Sequence, residues 1–166
     1  MRVPLDYRDL LKLLNRHKVR YLIVGAYAVI YYTEPRFTKD LDIWVEPGIN
    51  NAQRVWKALK DFGAPLKDIQ PEDFTHKNLV YQVGIAPVRV DIMMGIPGQE
   101  FTEAWRGKSV DLFEGIKVNI MGIRELIKSK KKTKRQIDSA DLKNLIYIKG
   151  KTRKKRPYLA KEVPYA

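Results

Sequence analysis

The chain has 166 residues, enough for one domain with a sizeable core, and its 45% hydrophobic and 31% charged content is that of a globular protein. It has no cysteine and only His17 and His76, which excludes disulfides and thiolate metal sites and leaves no basis for an imidazole-rich zinc site. Most of the net charge of +13 falls in residues 128–166, so polyanions such as RNA, DNA or nucleotide phosphates are the expected partners, against the plainer reading of a solvated tail.

Residues 4–18 predict a helix with Leu10, Leu11, Leu13 and Leu14 as its apolar face. Pro4 stands near its start, where proline is tolerated. Residues 21–24 read as a short apolar strand, broken by Gly25, and 26–32 as a helix. A polar connection leads to a second strand at 40–46, stopped by Pro47-Gly48. Residues 50–62 form an amphipathic pattern with Val55, Trp56, Leu59 and Phe62 on one side and Gly63 as the stop. After an irregular stretch, 79–85 and 88–93 read as an antiparallel pair of strands. A short helix at 101–105 and a hairpin of 108–113 with 116–120 follow. Helices are expected at 123–129 and 137–148, the second with Leu142, Leu145 and Ile146 inward and Gly150 as its end. The pattern is one α/β domain over 1–150, with C-terminal helices from about 122, and a basic tail over 151–166. No stretch has the length of a membrane span or the layout of a signal peptide, so a cytoplasmic location with no membrane partner is expected.

Chemistry concentrates in Asp40-Leu41-Asp42-Ile43-Trp44-Val45. Aspartate is depleted in strands, and an ionised carboxylate near a core is costly without a partner. Alternation places Asp40 and Asp42 on one face, about 6.5–7 Å apart at Cα, and Leu41, Ile43 and Val45 on the other. A hard divalent cation, Mg²⁺ or Mn²⁺, is the simplest partner for such a pair. Val90-Asp91-Ile92 repeats the pattern. If its strand lies beside the first, Asp91 joins Asp40 and Asp42. Carboxylates around magnesium polarise a hydroxyl and neutralise a triphosphate. Gly25, opening a helix with Ala26 next, brings exposed backbone N–H groups within reach of phosphate.

The ordered set of Ile23-Val24-Gly25-Ala26-Tyr27-Ala28, Pro35-Arg36-Phe37-Thr38-Lys39-Asp40-Leu41-Asp42-Ile43 and Val90-Asp91-Ile92 resembles the DNA-polymerase-beta-like nucleotidyltransferase superfamily. Within it, the chain looks most like the minimal nucleotidyltransferases and the AbiEii-type toxins. Arg135, Asp138 and Asp141 within 132–141 also look like that group's Lys…Arg…Asp…Asp segment, and the likeness spans roughly residues 20–145. It implies a mixed sheet flanked by helices, with a helical basic C-terminus. It further implies an NTP donor, Mg²⁺ or Mn²⁺, and transfer of a nucleoside monophosphate to a hydroxyl with release of pyrophosphate. Asp40, Asp42 and Asp91 would be the metal-holding and catalytic residues. Gly25, Ala26, Arg36 and Thr38 would meet the nucleotide. Ala26 departs from the Ser or Gly often found there.

The acceptor implied is an RNA such as tRNA, a protein hydroxyl or a small molecule, and a cognate antitoxin or toxin protein is a further implied partner. Lys130, Lys131, Lys132, Lys134 and Arg135 form the basic cluster that would carry RNA. A non-catalytic, nucleic-acid-binding relative of the same fold is the rival reading. Arg36 could instead pair with Glu34 or Asp40, Trp44 is expected to pack, and Asp111 and Glu46 are expected to be solvated.

Overall fold

The computed structural model describes residues 5–85, 88–132 and 136–151; residues 152–166 of the basic tail, Lys134 and Arg135 lie outside them. Its elements run α1 (Leu5–Arg16), β1 (Tyr21–Val24), α2 (Gly25–Tyr32), β2 (Asp40–Val45), α3 (Ile49–Phe62), a 3-10 turn at Pro71–Thr75, β3 (Val80–Ile85), β4 (Val88–Met93), α4 (Phe101–Arg106), β5 (Ser109–Phe113), β6 (Ile116–Ile120), α5 (Ile123–Lys131) and α6 (Gln136–Lys151). Six strands form one mixed sheet in the order β3-β4-β2-β1-β6-β5. The pairs β2–β4 and β1–β6 are parallel and the other three are antiparallel. The sequence-based expectation of a mixed α/β sheet flanked by helices is met.

β1 lies inside the sheet, and all four of its residues are buried. That is why it reads as a continuous apolar run rather than an alternating one. β2 alternates instead: Leu41, Ile43 and Val45 are buried on one face while Asp40 and Asp42 stand half-buried on the other. Tyr7, Leu10, Leu11 and Leu14 of α1 enter the core, as does the Val55–Leu59 side of α3. Asn51, fully buried at the start of α3, accepts from Arg20 N at 2.8 Å. It donates to the carbonyls of Arg20 and Glu46 at 3.0 and 2.9 Å. One side chain thereby joins α3 to the ends of β1 and β2.

Two expectations are corrected at the C-terminus. α6 runs through Gly150 to Lys151, and Ile146 is 49% exposed while Leu145 alone of the expected trio is fully buried. A helix pattern names a face only by average, and the buried positions of this helix include Asp141 beside Leu145. Among the described residues, no helix is long and apolar enough to cross a membrane.

Candidate active site

β2 and β4 run parallel with Asp42 opposite Asp91 and Asp40 opposite Arg89. Neighbouring strands are about 4.8 Å apart, and paired positions share a face. The structure therefore brings Asp40, Asp42 and Asp91 together on one side of the sheet, in a strip that also carries Arg89. Further along that strip Trp44 is buried edge-to-face against Phe101 of α4, with ring centroids 5.2 Å apart. Trp44 packs, as expected.

The helix α2 starts directly at the end of β1 with Gly25 at φ +65°. Val24 is opposite Asp42 in the sheet, so the turn into α2 passes over that carboxylate. A side-chain carbon on Gly25 would lie 3.1 Å from Cβ and Cγ of Asp42 and closer still to Oδ2. Glycine is required here twice, for the left-handed backbone and for the approach of Asp42. Val24, at the N-cap, offers no side-chain acceptor to the first turn of α2.

Crowding of like charge shows in the titration of the cluster. Asp42 is pushed up to about 7, first by burial, then by the charges of Asp91 and Asp40, while Arg89 and Lys130 pull it back. Asp91 is also raised, again first by burial, with Arg89 opposing. Arg89 donates from Nη2 to Asp40 Oδ2 at 2.8 Å, and its Nε stands 3.5 Å from Asp91 Oδ1. Neither that Nε nor that oxygen has a hydrogen-bond partner, although both are buried atoms. Three carboxylates with an unsatisfied oxygen suit a hard cation chemically. Among the described residues, however, no three acidic or histidine side chains form a ready-made metal cage. The Arg89 guanidinium spans Asp40 and Asp91 instead.

Behind the cluster, Arg36 makes a two-point ion pair with Asp141, Nη1 to Oδ1 and Nη2 to Oδ2, the latter at 3.1 Å. Asp141 is buried, and Lys130 Nζ lies 3.5 Å from its Oδ2. Arg36 thus meets Asp141, a partner the sequence expectation does not name. Lys130 is turned inward, with 11% of its side chain exposed, whereas Lys131 and Lys132 face solvent. Thr38 sits half-buried, its Oγ1 3.5 Å from the Asp40 carbonyl. Glu46 is not free in solvent but pairs with Arg20 at 2.8 Å. Asp111 lies on β5 at the far edge of the sheet from β4 and accepts a 2.8 Å bond from Tyr31, so it is neither near the cluster nor merely solvated.

Tyr7 is the residue that reading the sequence missed. Its hydroxyl lies 2.9 Å from the carbonyl oxygens of both Lys39 and Arg89 and donates to them, tying the starts of β2 and β4 together. Burial, helped by Asp40 and Asp42, pushes its pKa up to about 12. The only local signal is a polar-tipped aromatic among leucines on an apolar helix face. Past Trp44, a cavity of about 680 Å³ opens, walled by Pro47, Met94, Ile96, Phe101 and Thr102 among others. The buried Trp44 Nε1 has no hydrogen-bond partner.

No family model matches the chain, and no curated protein matches it in sequence. Solved structures similar to it include the lincosamide antibiotic adenylyltransferase LnuA bound to lincomycin, with a TM-score of 0.58 and 17% identity over 89% of this chain and 98% of that one. A nucleotidyltransferase candidate from Thermotoga maritima gives 0.55 and 14% over 85% of this chain and 90% of that one. ANT(2'')-Ia in complex with adenylyl-2''-tobramycin gives 0.53 and 12% over 85% and 86%. The chain has the mixed α/β fold that these nucleotidyltransferases share.

Proposed function

We propose that the protein is a divalent-metal-dependent nucleotidyltransferase that moves a nucleoside monophosphate from an NTP to a hydroxyl acceptor. The observation that carries this reading is the register of Asp42 against Asp91 on neighbouring parallel strands, with Asp40 on the same face and the uncapped start of α2 above them. Asp40, Asp42 and Asp91 would hold Mg²⁺ or Mn²⁺, which neutralises phosphate charge and sharpens the acceptor hydroxyl as a nucleophile.

The chain's own contribution is positioning and charge. The leading N–H groups at Gly25 and Ala26 bind donor phosphate oxygens. Arg36, Thr38 and Lys130 border the same ground. Asp91 would either share the metal or accept the proton of the attacking hydroxyl. The acceptor oxygen then forms a bond to the α-phosphorus as the bond to pyrophosphate breaks. The cavity beyond Trp44 is of a size that holds a small organic molecule, and two similar structures carry antibiotics or their adenylylated products. RNA, tRNA among it, and a protein hydroxyl are the other acceptor classes, with Lys131 and Lys132 exposed for RNA. The motif likeness to AbiEii-type toxins supports a toxin–antitoxin role, which co-purification with the product of the adjacent gene tests.

Incubation with each α-labelled NTP, Mg²⁺ and total cellular lysate is the direct experiment. Label should appear in one fraction, whether RNA, protein or small molecule, and should vanish with Asp42→Asn. No label from any NTP in any fraction overturns the assignment. One observation favours the rival, a non-catalytic RNA-binding relative: Arg89 already neutralises part of the acid cluster. RNA binding with steep salt dependence and no incorporation would establish that rival.

A further inference from the structure

We infer that Arg89 is a resident counter-cation that closes the carboxylate cluster to free divalent metal and opens it to metal arriving on a triphosphate. The inference rests on the metal-dependent reading above and concerns how that site is loaded.

Arg89 lies on the same face of β4 as Asp91, two residues before it and opposite Asp40 across the strand pair. Its guanidinium is bonded firmly at one end, Nη2 to Asp40 Oδ2 at 2.8 Å. At the other end it only approaches: Nε and Asp91 Oδ1 are 3.5 Å apart and neither finds a hydrogen-bond partner. The group therefore spans two of the three carboxylates and uses an oxygen that a metal needs. A free dication that takes Asp40 Oδ2 displaces the guanidinium's bond to Asp40 and leaves it the 3.5 Å approach to Asp91. With 36% of its side chain exposed, Arg89 has room to move once another acceptor is present. A triphosphate supplies one, because guanidinium pairs with phosphate oxygens at least as well as with carboxylate.

Charge gives the same sign. Arg89 and Lys130 face Asp40, Asp42 and Asp91, so a lone dication turns a mildly acidic cluster cationic. A dication carrying a triphosphate does not. Metal and polyphosphate should thus bind with positive coupling, and the coupling should pass through one side chain.

The test uses Mn²⁺ and inorganic tripolyphosphate, which needs no choice of base, at pH 8. Binding of Mn²⁺ alone is followed by the electron paramagnetic resonance of the free ion. Binding of the preformed Mn²⁺–tripolyphosphate complex is followed by calorimetry. Arg89→Met should bind Mn²⁺ alone about tenfold more tightly than the wild type and the complex about tenfold more weakly. A merely structural role would move both affinities the same way. Arg89→Lys, which keeps the charge without the two-point fork, should fall between in both measurements and serves as the second variant if Arg89→Met does not fold. Unchanged or weaker binding of Mn²⁺ alone by both variants overturns the inference while leaving the metal-dependent reading intact. Absence of Mn²⁺ binding in either form, by any of the proteins, overturns that reading and the inference with it.

Discussion

The carboxylate of Asp42 rests against the bare Cα of Gly25, in the space where any other residue would carry its first side-chain carbon. The contact couples the turn into α2 to the acid that the site depends on most. Gly25→Ala should therefore cost stability, about 1–3 kcal/mol from the positive φ and the displaced side chain, and should abolish label transfer. Chemical denaturation and the α-labelled NTP assay check the two effects together. A variant that keeps both stability and transfer would show that Asp42 is free to move.

Asp42 titrates at about 7 because burial and two neighbouring carboxylates disfavour its ionised form. Its pKa is raised in the fold, so between its ordinary value near 4 and about 7 the native state binds more protons than the unfolded chain. Stability should fall as pH rises through that window, by at most about 4 kcal/mol from this group. Asp42→Asn should remove this group's part of the decline and leave that of Asp91, making the variant more stable than the wild type at pH 8 while it loses turnover. Urea melts of both proteins at pH 5 and pH 8 provide the comparison.

Lys130 lowers the pKa of Asp42 through its field. Lys130→Met should move the acidic limb of the pH–rate profile to higher pH, because Asp42 must be ionised to hold metal. An unmoved limb would separate Lys130 from the chemistry.

Asp141 is a buried acid shared by Arg36 and Lys130, and it fastens α6 to the 33–39 connection. Asp141→Ala breaks the two-point pair with Arg36 and should cost about 3 kcal/mol, at the lower end for a buried pair because Arg36 keeps part of its hydration. Hydrogen exchange should speed up in α6 and in the 33–39 connection before it does in β1.

Tyr7→Phe leaves the Lys39 and Arg89 carbonyls without their donor and should cost about 1–3 kcal/mol. The phenyl ring keeps its edge-to-face contact with Tyr27, so the core should survive and a loss of Mn²⁺–tripolyphosphate affinity would report the loosened β2–β4 junction.

Most elements and the identity of the acidic strip were legible because they are written in short-range periodicity. An apolar run of four named a strand, and alternation over 40–45 named which side chains share a face. Glycine at the end of a strand named the entrance to α2. Where those local rules stopped, the reading drifted: the inward face of α6 and the partner of Arg36 came out differently.

By itself, then, the sequence determined that two acids share one face of a strand, that a third lies in a second strand of like pattern, and that positive charge gathers toward the end. Only the tertiary structure decided that the third acid meets the second in register, that Arg89 stands between Asp40 and Asp91, and that Arg36 belongs to Asp141, 105 residues away. The division has a physical cause. Backbone periodicity is fixed by sterics within a few residues, whereas the partner of a charged side chain is chosen by which distant surface burial brings to it.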